Sequence, residues 1–484
     1  MKELITQEAL GSVDEAIHDF SDEQIRLAIE ELNRESGRIF VILDDDPTGS
    51  QTVHDIPVIT DWSTESIKWG FSQGINAFFI LTNSRSLSKE DAEELVGKIV
   101  KNVSNIATEL ELTYSFFLRG DSTLRGHFLQ EIEIAKDAKK QESAQKQIVI
   151  FAPAYFEAGR ITREDRQLVR QGEAWIPVSE TDYSHDSNFG YKSSNLHDFI
   201  REKHRAAQSI KTQALSLYSI RNQSPQSLAQ EFINADSETI FIINAEENRD
   251  LAIVTLAAIM AESAGVEIIY MGAPSLVSVR IANTQREPLA KSELPFKGSM
   301  NSHGLIVVGS HVSLTSIQLK GLQDLLPPQN FIELNVELLL NERTRELELR
   351  RCIHELEKIL DLDEAVLATS REEIKNNGNL STITISQLVA NSIVEICNGI
   401  LQTREVGWIL AKGGITSNDI LTKVAHMQRA IVLGQLFPGI VSVWVPSIEA
   451  NNSSHNFPVI VFAGNVGQSE SLKDAVTILR DAQI

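Results

Sequence analysis

Only two cysteines, Cys352 and Cys397, occur in 484 residues, so the chain has neither a disulfide framework nor the paired spacing of a zinc site. Both read as plain thiols. Basic residues are outnumbered, 44 Lys and Arg against 66 Asp and Glu, for a formal net charge of -22. A surface of that sign repels phosphate backbones and anionic headgroups, which excludes nucleic acid and membrane as natural partners. An anionic ligand then needs a local basic pocket. Long apolar runs are also missing: the longest, Leu251 to Ala261, falls short of the roughly 18 residues of a membrane span. Met1 to Glu15 carry acids rather than a basic stretch followed by an apolar one, so the expected compartment is the cytoplasm. There is no G-x-x-x-x-G-K-[ST], no G-x-G-x-x-G, no H-E-x-x-H and no G-x-S-x-G. These absences argue against a P-loop enzyme, a nicotinamide-dependent dehydrogenase, a zinc peptidase and a serine hydrolase.

What is present is ordinary in bulk, 42% hydrophobic and 23% charged, and the length favours two domains. Short continuous apolar runs alternate with helical periodicity. Strands are expected at Arg38 to Leu43, Ala77 to Leu81, Thr113 to Leu118, Gln147 to Ala152, Thr239 to Asn244 and Val266 to Tyr270, and helices at Val13 to Leu32, Lys89 to Val103 and Arg249 to Ala264. From Ile281 to Gly304 the periodicity stops and Pro, Gly, Ser and Asn accumulate, as in a linker. The pattern resumes with strands at Leu305 to Val308, Ala365 to Thr369, Trp408 to Ala411 and Val459 to Phe462. Helices are expected from about Leu314, across Val336 to Leu360, and at Ile385 to Leu401. The fold class is therefore α/β: two domains with mainly parallel sheets, spanning 1–280 and 304–484 around a crossover at 281–303, with a ligand cleft expected between them.

In open α/β sheets ligands sit beyond the carboxyl ends of the strands. The first strand is followed by Asp44-Asp45-Asp46-Pro47-Thr48-Gly49, where one Asp would suffice as a helix cap. The second is followed by Thr82-Asn83-Ser84-Arg85, the third by Arg119-Gly120-Asp121-Ser122-Thr123-Leu124-Arg125-Gly126-His127, and the fourth by Pro153 to Arg160. Guanidinium forks beside acids and hydroxyls suit a carboxylate and several sugar hydroxyls. The C-terminal half carries glycines instead: Gly309-Ser310-His311-Val312-Ser313, Lys412-Gly413-Gly414-Ile415-Thr416-Ser417 and Ala463-Gly464-Asn465-Val466-Gly467. Such turns let backbone amides approach phosphate oxygens. His127 and His311 are the only histidines inside these candidate loops.

In order and spacing, Asp45 to Gly49, Arg119 to Gly126, Pro153 to Arg160, Val178 to Tyr183, Gly413 to Ser417 and Gly464 to Gly467 resemble the hallmarks of the four-carbon acid sugar kinases. The resemblance implies an N-terminal domain for a threonate, erythronate or 3-oxo-tetronate and a C-terminal domain for ATP. It implies transfer of the γ-phosphoryl group to a substrate hydroxyl, with Mg2+ accompanying the nucleotide. Substrate contacts are expected at Asp45, Thr48, Gly49, Arg85, Ser122, Thr123, Arg125 and Arg160. Arg85 and Arg125 would hold the carboxylate, Ser122 and Thr123 the hydroxyls, and Asp121 or Asp46 would be the general base. ATP contacts are expected at Ser310, Ser313, Gly413, Gly414, Ile415, Thr416, Gly464, Asn465 and Gly467, with no dedicated protein metal ligands, and a homodimer is the expected assembly. Met271 stands where the family often has Arg, His311 where it often has Cys, Ile415 for a common Glu, and Ala463 for a common Pro or Ser. Two rival readings are a metal-dependent sugar-acid dehydratase or aldolase using Asp45 and Asp46, and a non-catalytic sugar-acid sensor.

Overall fold

The computed structural model describes residues 20–142, 145–204, 210–283, 286–295, 302–370, 382–447 and 457–482. The chain divides into two compact units, Met1–Gln285 and Arg286–Ile484.

In the first unit the apolar runs become strands: β1 (Ile39–Asp44), β2 (Ile56–Ile59), β3 (Ala77–Leu81), β4 (Tyr114–Arg119) and β5 (Gln147–Ala152). Three short strands, β6 (Arg160–Arg163), β7 (Arg166–Gln171) and β8 (Ala174–Pro177), make a separate antiparallel sheet, and β9 (Thr212–Leu215), β10 (Ile240–Ile243) and β11 (Glu267–Gly272) return to the main one. Its order is β2-β3-β1-β4-β11-β5-β10-β9, and every pairing is parallel. All five residues of β3 and all six of β4 are buried, because helices cover both faces of a parallel sheet and leave no polar alternation. The helix Asp22–Ser36 starts at a Ser21/Gln24 capping box and stops at Gly37, φ +59°. It lies later than expected, and residues 13–19 of that expectation fall outside the described residues. The helix expected at Lys89 to Val103 runs on to Glu109, its start capped by Ser88.

The second unit holds β12 (Gly304–Val308), β13 (Phe331–Leu334), β14 (Ala365–Thr369), β15 (Trp408–Lys412), β16 (Arg429–Phe437), β17 (Val441–Pro446) and β18 (Val459–Phe462). Their order is β13-β14-β12-β15-β18-β17-β16, parallel from β13 to β18, with β17 and β16 added antiparallel. The single long helix expected over Val336 to Leu360 is instead two, Val336–Leu339 and Glu342–Leu360. Asn341 interrupts it, its side chain accepting from Arg343 N to cap the second helix, a role Asn favours over helix interiors. The helix Thr382–Leu401 contains an 18-residue window, Thr384–Leu401, long and apolar enough to cross a membrane, which forms no continuous apolar run in the sequence because polar residues are scattered through it. Val389, Ile393, Ile396, Cys397 and Ile400 are buried at spacings of three and four, the stripe of a helix packed on one side.

Candidate functional site

Because β3, β1, β4, β11 and β5 are parallel neighbours, their polar C-terminal residues emerge along one edge of the first unit. Asp44 faces Arg119 in register across β1 and β4. Arg119 Nη1 donates to Asp44 Oδ1 at 3.0 Å and to Asp45 Oδ1 at 2.9 Å. Arg119 thus pairs with acids of the neighbouring strand, not with Asp121 two residues along. Arg85 joins three strand ends, lying 2.7 Å from Asp46 Oδ2, 3.5 Å from Asp45 Oδ1 and 3.4 Å from Asp121 Oδ2. Arg125 Nε donates to Asp121 Oδ2 at 2.7 Å. Arg85 and Arg125, expected to hold a substrate carboxylate, are therefore already engaged by protein carboxylates. Thr123 is buried, and its hydroxyl donates to Asp121 and accepts from Arg125 Nε. Ser122 is buried too, its carbonyl held by Gln167 Nε2 at 2.8 Å. Asp46 Oδ1 caps the following turn, accepting from Thr48 N at 2.8 Å and Thr48 Oγ1 at 2.5 Å. A Cβ at Gly49 would lie 2.3 Å from Asp44 Oδ1 and 2.6 Å from Arg119 Nε, so only glycine leaves that ion pair its place. Leu124 holds φ +67° at the turn of the loop after β4, a conformation costly for a branched side chain.

Burial raises every one of these carboxyls, and the arginines decide the outcome. Asp44 is pushed up to about 7 by burial against the pull of Arg119, its acidic neighbours adding to the rise. Asp45 is also raised, burial outweighing Arg85 and Arg119. At Asp46, burial is overruled by Arg85, Arg119 and the Thr48 hydrogen bonds, leaving it lowered. At Asp121, burial is overruled by Arg125, Arg85 and Thr123, leaving it well below the usual range. His127 is lowered by burial and its Nε2 lies 3.3 Å from Leu87 O, which makes it a neutral loop support.

Glu131, on the helix Phe128–Glu142, carries no signal in the sequence, where one acid in an amphipathic helix looks like a solvated one. It is buried, accepts from Ser84 Oγ at 2.7 Å, and is pushed up to about 8 by burial and then by the Asp45 charge. The folded state keeps a proton that the unfolded chain loses above 4.5, so this group's contribution to stability falls as pH rises from that value toward 8. Glu131→Gln keeps the shape and removes the ionisation. It is expected to raise Tm more at pH 8 than at pH 5 in thermal unfolding; equal shifts at both would refute the buried, protonated state.

Beside these acids lies an aromatic layer. Arg160, at the start of β6, sits 5.7 Å from the ring centre of Tyr155 and 5.8 Å from that of Tyr183, and Arg125 lies 5.1 Å from Tyr183. Tyr155 OH donates to Gln51 Oε1 at 3.0 Å and Tyr191 OH to Thr123 O at 2.7 Å.

In the second unit the three glycine loops meet at Ser310. A Cβ at Gly464 would lie 2.4 Å from Ser310 Oγ, one at Gly413 (φ +117°) 3.3 Å from Ser310 Cβ, and one at Gly309 2.2 Å from Thr416 Oγ1. Thr315 Oγ1 ties the junction, donating to Ser310 Oγ at 3.0 Å or Gly464 O at 3.1 Å. Gly414 is the first residue of the short helix Gly414–Asp419, Ile415 is exposed, and Ser313 is exposed at the first position of the helix Ser313–Leu322. Asn465 follows Gly464 half-buried, whereas Gly467 (φ +87°) abuts Ser471 and serves the entry into the helix Ser471–Asp481. Lys412 stands beside Gly413, and nothing in the linear sequence shows where its amine goes. It is fully buried, its Nζ donates to Ala463 O at 2.9 Å and lies 3.6 Å from the centre of the Phe462 ring, and burial brings it down to about 7.

One further group, His303, Asp363 and Glu364, could bring metal-ligand atoms within 4.8 Å of one another. Arg480 already pairs with Asp363 at 2.5 Å and Glu364 at 3.1 Å, so a cation is in place.

Two family models match the chain, a sugar-binding N-terminal domain over residues 40–280 and a nucleotide-binding C-terminal domain over 305–472. A D-threonate kinase of Salmonella typhimurium is 23% identical over 377 residues, 75% of this chain and 79% of the relative. Among solved structures, the Haemophilus influenzae protein HI1011 matches with TM-score 0.60 and 17% identity, covering 91% of this chain and all of the other. A Salmonella typhimurium LT2 protein provisionally described as a tRNA synthase matches with TM-score 0.65 and 16% identity, covering 90% and 98%. At those identities the structures speak to the fold alone, the same α/β architecture. Together the two models take in most of the chain, one with the acid and arginine loops and the other with the three glycine loops, and the chain belongs to the four-carbon acid sugar kinase family.

Proposed function

We propose that this protein is an ATP-dependent kinase that phosphorylates a hydroxyl of a four-carbon sugar acid. The sugar acid is taken by the strand ends of residues 1–280 and the nucleotide by the loops of residues 304–484. The observation that carries this reading is the meeting of Gly309, Gly413 and Gly464 around Ser310 and Thr416, where a Cβ at Gly309 or Gly464 would collide and Gly413 takes φ +117°, a junction of strand-end glycines that supports close approach of backbone amides to phosphate oxygens. Mg2+, held mostly by phosphates and waters, would neutralise phosphate charge.

Phosphoryl transfer asks the protein for positioning and for a proton acceptor. A base must be able to take up a proton, which disfavours Asp121 and Asp46, both lowered; of the two raised acids, Asp44 is covered closely by Gly49, which leaves Asp45, raised by burial. Asp121 and Asp46 hold Arg85 and Arg125 in position. Gly49 and Thr48 fix the turn that carries Asp45.

A coupled ATP-consumption assay over a panel of tetronates tests the reading. ATP use that depends on one tetronate supports it; turnover of a sugar acid without nucleotide would favour the dehydratase or aldolase, and binding without ATP use the sensor.

Lys412 is the only Lys or Arg within the three glycine loops. A bound triphosphate would draw a proton onto its amine, so ATP affinity is expected to fall as pH rises through about 7. Lys412→Met should weaken ATP roughly tenfold at pH 6.5, as for one lost hydrogen bond to a charged group, and flatten the pH dependence. Calorimetry at several pH values checks both.

A further inference from the structure

Arg160 is 5% exposed. Among the described residues its guanidinium takes no ion-pair partner, and its buried Nε has no hydrogen-bond partner. A buried cation without an anion is costly unless a ligand completes it. What holds Arg160 in place is the two ring faces of Tyr155 and Tyr183, which stabilise a cation without consuming its N–H donors. Its backbone is fixed as well, Arg160 N donating to Tyr155 O at 2.9 Å. Its charge is felt at Asp121, and it shares the Tyr183 ring with Arg125, so it faces the same strand ends. Arg85, Arg119 and Arg125 are each ion-paired with Asp44, Asp45, Asp46 or Asp121, although Arg119 Nε, like Arg160 Nε, has no hydrogen-bond partner. Arg160 alone of the four keeps its fork for an incoming anion.

We infer that Arg160, clamped between Tyr155 and Tyr183, is the anchor for the substrate's carboxylate and the residue that makes this protein select acids over neutral sugars. The inference rests on the sugar-acid reading of the N-terminal unit. A planar guanidinium accepts a carboxylate through two parallel hydrogen bonds. An amide of the same carbon skeleton offers one oxygen and no charge, and leaves part of the fork unfilled.

The test compares full-length wild type, Arg160→Met and Arg160→Lys with a turned-over tetronate and with its amide. Wild type should prefer the acid strongly. Arg160→Met should raise KM for the acid by roughly 10- to 150-fold, the range for hydrogen bonds to charged groups, while KM for the amide moves little and Kd for ATP stays put. Arg160→Lys should recover part of the preference, since charge persists without the fork. Tyr183→Leu, which removes one clamp and no charge, should weaken acid and amide unequally, the acid more. If Arg160→Met weakens acid and amide alike, the residue is structural and the inference fails. If Arg160→Met does not fold, the Lys variant decides: a preference identical to wild type would overturn the inference. Wild type that turns over no tetronate defeats the sugar-acid reading itself, a different result from turnover without discrimination at Arg160.

Discussion

Asp45→Asn is expected to lower kcat by about 10² to 10⁴, the usual range for a lost general base, with ATP affinity unchanged. Asn keeps the size of the side chain and can still accept from Arg119 Nη1, which donates to Asp45 Oδ1 at 2.9 Å. What it loses is the ability to take the substrate's proton. The parallel variant Asp121→Asn should behave differently. Asp121 is held strongly ionised, burial being overruled by Arg125, Arg85 and Thr123, so its main work is to restrain those side chains. Weakening it should raise KM for the sugar acid more than it lowers kcat. Steady-state kinetics of both variants separates the roles. A large kcat loss confined to Asp121→Asn would return the base to the loop after β4, and a pure KM effect in both would leave positioning and electrostatics as the whole mechanism.

Gly464→Val should reduce ATP affinity by on the order of 100-fold or more, the scale of losing charge-assisted contacts, without changing sugar-acid affinity. A Cβ there would lie 2.4 Å from Ser310 Oγ and 3.1 Å from Ser310 Cβ, so the branched side chain displaces Ser310 or occupies the loop junction. Gly467→Ala is the control. Gly467 has φ +87° and faces Ser471, so its replacement should cost about 1 kcal/mol of stability through backbone strain and leave ATP binding near normal. Calorimetry paired with thermal unfolding distinguishes the two. Normal ATP affinity in a folded Gly464→Val would remove that loop from the nucleotide site.

The strands most legible in the sequence were those with continuous apolar runs bounded by polar turns, such as Ala77–Leu81, Gln147–Ala152, Ala365–Thr369 and Val459–Phe462. β16 was not, because Gly434 and two register shifts break its alternation, and Ile56–Ile59 is too short to rise above its surroundings. The helix break at Asn341 needed a cap to be recognised inside a charged, periodic stretch. At the site, the residues that follow each strand were legible because parallel topology forces them to one edge. Their partners were not. Arg119 looked like a flank of Asp121, yet strand order sets it opposite Asp44. Nor does linear order reveal that Tyr183 reaches Arg125 and Arg160, or that Lys412 turns inward onto Phe462.

Arg85 is braced by acids from two strand ends at once, Asp45 and Asp46 after β1 and Asp121 after β4. The sharing makes the edge epistatic. Removing any one acid alters what the others carry, so the effects of two substitutions should differ from the sum of the singles by about 0.5 to 3 kcal/mol, as for residues of one ion-pair network. Replacement at these positions is then expected to be concerted: a charge removed after β1 should be tolerated better alongside a matching change after β3 or β4 than alone, because Arg85 links the three strand ends.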